Sequence, residues 1–137
     1  YGYVYVAQIA MGANPAQTIK AIAEAEAYPG PSLIIGYAPC EMHGLKGGMT
    51  NCQIEMKKAV EAGYWQLFRY NPANENALTV DSKAPTASYI DFIKSETRYS
   101  RLAQQFPDRA EKLFAEAEKQ AKNKYDRLVK LGEVYSK

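Results

Sequence analysis

Tyr3-Val4-Tyr5-Val6-Ala7-Gln8-Ile9 and Ser32-Leu33-Ile34-Ile35-Gly36-Tyr37 bracket the stretch whose reading decides the fold. Each is an almost continuous apolar, β-prone run, the form of a strand buried on both faces in a parallel sheet. Between them, Gly12-Ala13-Asn14-Pro15 ends the first run and opens a helix. Asn14 is a capping residue, Pro15 suits the first helical position, and Gln17 completes a box-like start. Ile19, Ile22 and Ala23 share one face of this helix, which stops before Tyr28-Pro29-Gly30-Pro31. Strand, helix, strand is a βαβ unit, and such units cross over right-handed.

Downstream, a loop is expected from Ala38 to Met49. Thr50 and Gln53 have the spacing of a capping box for a helix that runs to about Ala62, with Gly63 as its stop. Trp65–Tyr70 and Ala77–Val80 read as a third and a fourth strand around the turn Asn71-Pro72-Ala73-Asn74. The character changes at Asp81-Ser82-Lys83-Ala84-Pro85. One helix is expected over about Thr86–Gln104, with Tyr89, Ile93 and Leu102 on its apolar side. Phe106-Pro107-Asp108 breaks it. A last helix is expected over about Arg109–Tyr135, with Leu113, Phe114, Ala117, Ala121, Tyr125, Leu128 and Leu131 at helical spacing. The fold class is α/β: a parallel sheet with βαβ units over residues 1–84, then a helical extension over 85–137.

The 137 residues carry a net charge of +2, with 47% hydrophobic and 23% charged residues. This is the composition of a globular domain, not of a disordered or disulfide-rich chain. No apolar run approaches the ~18 residues of a membrane span. The small charge and the lack of a Lys/Arg cluster argue against nucleic acid. The sequence opens at Tyr1 without a Met or a signal pattern, and a strand begins at once. It reads as a piece of a longer protein, or as a processed N-terminus. The exposed edges of its strands should then invite pairing with another chain.

Cys40 is the leading candidate for chemistry. It lies in Tyr37-Ala38-Pro39-Cys40-Glu41-Met42-His43-Gly44, just past the carboxyl end of a strand, where open α/β sheets bind ligands. A thiolate there can ligate a metal or act as a nucleophile; equally, Cys40 can be an ordinary half-buried thiol. Two cysteines and one histidine make neither a closed zinc site without a carboxylate nor an iron–sulfur site alone. Cys52 at a helix start and His43 in the loop each have a plain structural reading beside a functional one. Gly44-Leu45-Lys46-Gly47-Gly48 is either a phosphate-cradling turn or a flexible connection. Two thiols that form no framework fit a reducing, cytoplasmic setting.

Six segments in order, YGYVYVAQIAMGA (1–13), AEAYPGPSLIIGYAPC (25–40), HGLKGGM (43–49), KKAVEAGYWQLFRYNP (57–72), DSKAP (81–85) and RYSRLAQQFP (98–107), together resemble the C-terminal region of pyruvate:ferredoxin (flavodoxin) oxidoreductase. The resemblance implies a partial thiamine-diphosphate-binding fold: residues 1–84 would be the later part of that domain. It implies oxidative decarboxylation of pyruvate to acetyl-CoA with thiamine diphosphate, Mg and coenzyme A, and electron transfer through 4Fe-4S clusters to ferredoxin or flavodoxin. Cys40 matches the sequence-remote fourth thiolate of the cluster nearest the thiamine. The family's diphosphate motif and its Cys-x-x-Cys pair are absent, so no catalytic residue is expected in this stretch, and alone it should be inactive and cofactor-free. Glu41-Met42 and Thr50-Asn51-Cys52 depart from the family pattern, and the Glu41 charge would make reduction of a nearby cluster harder. The partners implied are the remaining domains of the parent enzyme, ferredoxin or flavodoxin, and a second copy of the chain. An alternative is a structural and interaction module of a related 2-oxoacid:ferredoxin oxidoreductase.

Overall fold

A computed structural model describes residues 1–135; residues 136 and 137, the end of the expected helical extension, lie outside the described residues. The elements are β1 (Tyr5–Ile9), α1 (Pro15–Ala27), β2 (Ser32–Gly36), a single 3-10 turn (Met49–Asn51), α2 (Cys52–Glu61), β3 (Phe68–Tyr70), β4 (Leu78–Val80), α3 (Tyr89–Ser95), α4 (Thr97–Gln105) and α5 (Pro107–Val134). The strands form one sheet in the order β2-β1-β3-β4. β1 and β2 run parallel, with Tyr5 opposite Ser32 and Ile9 opposite Gly36, as the βαβ reading requires. β3 runs antiparallel to β1, and β4 antiparallel to β3. The sheet is therefore mixed. β4 returns antiparallel to β3 because residues 71–77 suffice for a hairpin, whereas a parallel return needs a dozen residues or more.

α1 begins as its sequence demands. The Asn14 side chain accepts from the Gln17 amide at 2.9 Å, and Pro15 occupies the first turn. Such a cap contributes about 1 kcal/mol. The residues α1 buries are Gln17, Thr18 and Ala21, while Ile19 and Ile22 are exposed. Tyr5, Ala7 and Ala21 form a small core between α1 and the sheet, closed by Ile9, Ala25, Tyr28 and Ile34. A larger core joins Tyr37, Met56, Ala59 and Leu67 of the α/β part to Phe92, Ile93, Ala110 and Phe114 of the helices, so the helices after residue 85 share a core with what precedes them.

β2 departs from the expectation of burial on both faces. It is the edge strand, and only Ile34, on the α1 side, is half-buried. Leu33 and Ile35 alternate to the opposite face. α5 packs against β4 on the far side of the sheet and leaves both exposed.

Two other differences share one cause, the tight path of the loop between β2 and α2. Gly47 and Gly48 adopt positive φ, and the chain enters α2 through the 3-10 turn. Thr50 lies inside that turn and no capping box forms; the Asn51 side chain donates instead to the Gly47 carbonyl at 3.1 Å. The expected helix over Thr86–Gln104 is two helices, because Glu96 is extended (φ −85, ψ 123) and its backbone pairs antiparallel with Leu45 of that loop. Gly63 does end α2, at φ +73.

An ion network around the buried Arg69 ties α1 to the sheet. Arg69 on β3 bonds Asp81 through Nε and Nη2, both at 2.9 Å, and reaches Glu24 of α1 through Nη1 at 2.5 Å. The Tyr5 hydroxyl donates to the second Glu24 oxygen at 3.0 Å, and Gln17 Nε2 donates to Asp81 at 3.0 Å.

Candidate functional site at the Cys40 turn

The polypeptide leaves the sheet at Gly36, and one further ladder bond, from the Tyr37 amide to the Ile9 carbonyl at 3.0 Å, carries the strand to Tyr37. The Tyr37 ring packs on Tyr64 and Trp65, with ring centroids 5.8 and 5.7 Å away. Pro39 is buried, and Cys40 then opens a turn in which the Gly44 amide donates to the Cys40 carbonyl at 2.9 Å. Gly44 sits at φ +71, a conformation that L side chains rarely adopt.

Within this turn, Cys40 Sγ lies 3.1 Å from His43 Nδ1. The His43 side chain, aided by backbone hydrogen bonds from His43 and Met42, pulls the Cys40 thiol below its ordinary range. Cys40 is half-buried and His43 exposed, so this is a thiolate-prone sulfur at the surface, beyond the carboxyl end of a strand.

Behind the turn lies a chain of buried and half-buried polar groups. Glu96 is 1% exposed. It accepts the Tyr37 hydroxyl on one oxygen, and Arg98 Nε stands 2.7 Å from the other. Arg98 Nη2 donates to the Tyr64 hydroxyl at 2.9 Å, and Tyr64 and Tyr99 share a hydrogen bond of 3.0 Å. The Tyr37 and Tyr64 hydroxyls are held protonated well above the usual phenol range, first by burial, then by Glu96 for Tyr37 and by Tyr99 for Tyr64. The unfolded chain ionises these groups near pH 10 while the folded one does not. Stability is therefore fully present below about pH 10 and falls as pH rises beyond it. The urea midpoint should drop as pH rises from about 10 toward 12, and less steeply in Tyr37→Phe; equal slopes would contradict this account of Tyr37.

Cys52, the first residue of α2, is half-buried, and both cysteines are free thiols. Among the described residues no group of three or more His, Cys, Asp or Glu side chains gathers as a metal site. A lone cysteine such as Cys40 could be no more than one corner of a four-thiolate cluster. The glycine-rich run is not an open cradle for phosphate: the Gly44, Lys46 and Gly48 amides already donate to the carbonyls of Cys40, Ser95 and Leu45. Glu96, Tyr37 and Arg98 escape a sequence reading. The available signal is a carboxylate at position 96, in the apolar row that carries Ile93 and Tyr99.

Fold and turn together define a class: an α/β unit that presents a cysteine paired with a histidine past a strand end on a braced loop. No protein-family model matches the chain. Curated proteins do. It is 56% identical over 137 residues to the pyruvate:ferredoxin oxidoreductase of Moorella thermoacetica, covering 97% of this chain and 12% of that protein. It is 52% identical to the pyruvate-flavodoxin oxidoreductase of Enterobacter agglomerans, covering 96% of this chain and 12% of that protein. A mitochondrial pyruvate dehydrogenase (NADP+) of Euglena gracilis is 42% identical over 82% of this chain and 6% of its own length. The chain is thus homologous, along nearly all of its length, to a segment of the pyruvate:ferredoxin (flavodoxin) oxidoreductases, and it spans about 12% of the length of the first two relatives.

Proposed function

We propose that this chain works as part of a pyruvate:ferredoxin (flavodoxin) oxidoreductase, and that Cys40 is the thiolate it contributes to the 4Fe-4S cluster nearest the thiamine diphosphate. The observation that carries the reading is the Cys40 turn: a surface thiol lowered by a histidine 3.1 Å away, on a loop past a strand end. When bound, such a cluster takes up single electrons released as pyruvate is oxidatively decarboxylated to acetyl-CoA. The residues of this chain hold and tune. Cys40 supplies one sulfur, and His43 Nδ1 stands 3.1 Å from it, where an N–H in the Nδ1 tautomer favours the thiolate and shifts the potential of a ligated iron. Thiamine diphosphate, Mg and coenzyme A bind on parts of the longer protein. The isolated chain is inactive.

The names of the three relatives above include ferredoxin, flavodoxin and NADP+ in turn, and each of the three includes pyruvate. That pattern supports a role for this stretch on the pyruvate side of the electron path rather than in choosing the acceptor. Exposed Leu33 and Ile35 on β2, with Ile19 and Ile22 on α1, are surface for the remaining domains of the parent enzyme to cover, or for a second copy. Two free thiols suit a reducing compartment, the cytoplasm by default. Among the described residues no helix is long and apolar enough to cross a membrane.

Cys40→Ser in the full-length enzyme tests the reading. Iron content should fall by about four atoms per chain, with matching loss of visible absorption, and ferredoxin reduction should slow more than about 10-fold. Unchanged iron and unchanged electron delivery would make Cys40 an ordinary surface thiol.

A further inference from the structure

The Cys40 turn is gripped from both ends by one residue. Upstream, the Tyr37 hydroxyl, three positions before Cys40, donates to the Glu96 carboxylate. Downstream, Leu45 pairs with Glu96 through the backbone. The bonds flanking that pair run both ways: the Lys46 amide donates to the Ser95 carbonyl at 3.0 Å, and the Thr97 amide donates to the Gly44 carbonyl at 3.4 Å. Gly44 in turn donates to the Cys40 carbonyl at 2.9 Å, so a continuous bonded path joins Thr97 to the residue that carries the thiol. Glu41, Met42 and His43 stand outside this grip, and all three are exposed.

Glu96 costs the fold something at this place. It interrupts a helix between α3 and α4 and places a carboxylate at 1% exposure, a costly burial unless paired. Arg98 Nε at 2.7 Å and the Tyr37 hydroxyl supply the pairing. A leucine would fill this volume at less cost if the joint only had to pack. What a carboxylate adds is direction, since it fixes the end of β2 against the α3–α4 joint.

We propose that Glu96 is a positioning residue for Cys40, a clasp that sets where the thiol stands relative to the sheet. As a ligand-positioning role it rests on the reading of Cys40 above, although the clasp itself does not. Removing the carboxylate should let the two ends of the turn move independently, and the sulfur with them.

The full-length enzyme, with Glu96→Ala, Glu96→Gln and Cys40→Ser compared, tests both levels. In Glu96→Ala, amide exchange in peptides covering residues 38–48 should speed by at least about 10-fold. The electron paramagnetic resonance signal of the cluster that Cys40→Ser removes should shift or broaden. Glu96→Gln, which can still accept from Tyr37, should restore both. Unchanged exchange in Glu96→Ala overturns the clasp. Faster exchange with an unchanged cluster signal overturns the positioning role. If Cys40→Ser loses no cluster, the ligand reading falls by itself, and the rate of Cys40 alkylation by iodoacetamide replaces the signal: altered in Glu96→Ala and restored in Glu96→Gln supports the clasp, and no change overturns it. If Glu96→Ala exchanges faster everywhere, it has unfolded, and Tyr37→Phe decides by the same readings within 38–48.

Discussion

Arg69→Ala will destabilise the 137-residue chain by about 3–5 kcal/mol, among the largest single-residue effects in the fold. The reason lies in what it leaves behind. The Arg69 side chain is 10% exposed, and its partners Glu24 and Asp81 are 24% and 13% exposed. Glu24 approaches from α1 and Asp81 from the chain just after β4, so one guanidinium joins three elements of the fold. Asp81 takes it in the bidentate form, two N–H bonds at 2.9 Å, the geometry that guanidinium and carboxylate match best. Those bonds with Asp81 lead in holding the guanidinium proton above even arginine's ordinary range. Without it two half-buried carboxylates remain, with Tyr5 and Gln17 their only side-chain donors among the described residues.

The comparison that isolates this mechanism is Arg69→Met alone against Arg69→Met combined with Glu24→Gln and Asp81→Asn. Methionine restores most of the lost volume but no charge. The single variant should therefore stay costly, while the triple variant recovers a large part of the loss, because no charge is then stranded. Urea unfolding of the three variants reads this directly. A cost below about 1 kcal/mol for Arg69→Ala would mean that water solvates the site, and the network would rank with surface ion pairs.

The parts of this fold that sequence made legible are those governed by neighbours in the chain. Asn14 and Pro15 announce α1 because a cap and its amide are three residues apart. Gly63 ends α2 because a positive φ is a local requirement. The βαβ unit follows from two apolar runs and a helix between them. What was hidden depends on partners far along the chain. Ile19 and Ile22 make a proper amphipathic stripe, yet the face of α1 that packs is set by Ala21 lying against Tyr5 and Ala7. β2 has the composition of a central strand and sits at an edge, and composition carries no count of neighbours. The site divides the same way. Cys40 and His43 are three residues apart and visible together in the sequence. Glu96 lies 59 residues beyond Tyr37, inside a run that reads as unbroken helix, and only the fold brings the two together.

Gly12→Ala should cost about 3 kcal/mol, at the upper end for overpacking, and here the obstacle is main chain. A Cβ at position 12 would stand 2.2 Å from the Gln53 carbonyl oxygen, 2.7 Å from Gln53 Cα and 2.8 Å from its carbonyl carbon. A flexible side chain could swing away; the first turn of α2 cannot. Gly12 is also held in place, since its amide points at Met56 Sδ, 3.4 Å away, and the neighbouring Ala13 amide donates to the Ala10 carbonyl at 3.0 Å. The strain must therefore go into moving α2. That helix brings Met56 and Ala59 to the larger core, and its buried Glu55 accepts the Ser95 hydroxyl beside Glu96. A shift of α2 is thus passed to the joint that grips the Cys40 turn, and Gly12→Ala should raise amide exchange in both places as it lowers the urea midpoint. Gly36→Ala is the control. Its Cβ would meet only Ile9 Cγ1, at an ordinary 3.7 Å, on an edge strand, so its cost should stay within about 0.5 kcal/mol. Equal costs at the two positions would mean that the β1–α1 loop yields before α2 does, and that the contact between Gly12 and Gln53 is not what sets the distance between α2 and the sheet.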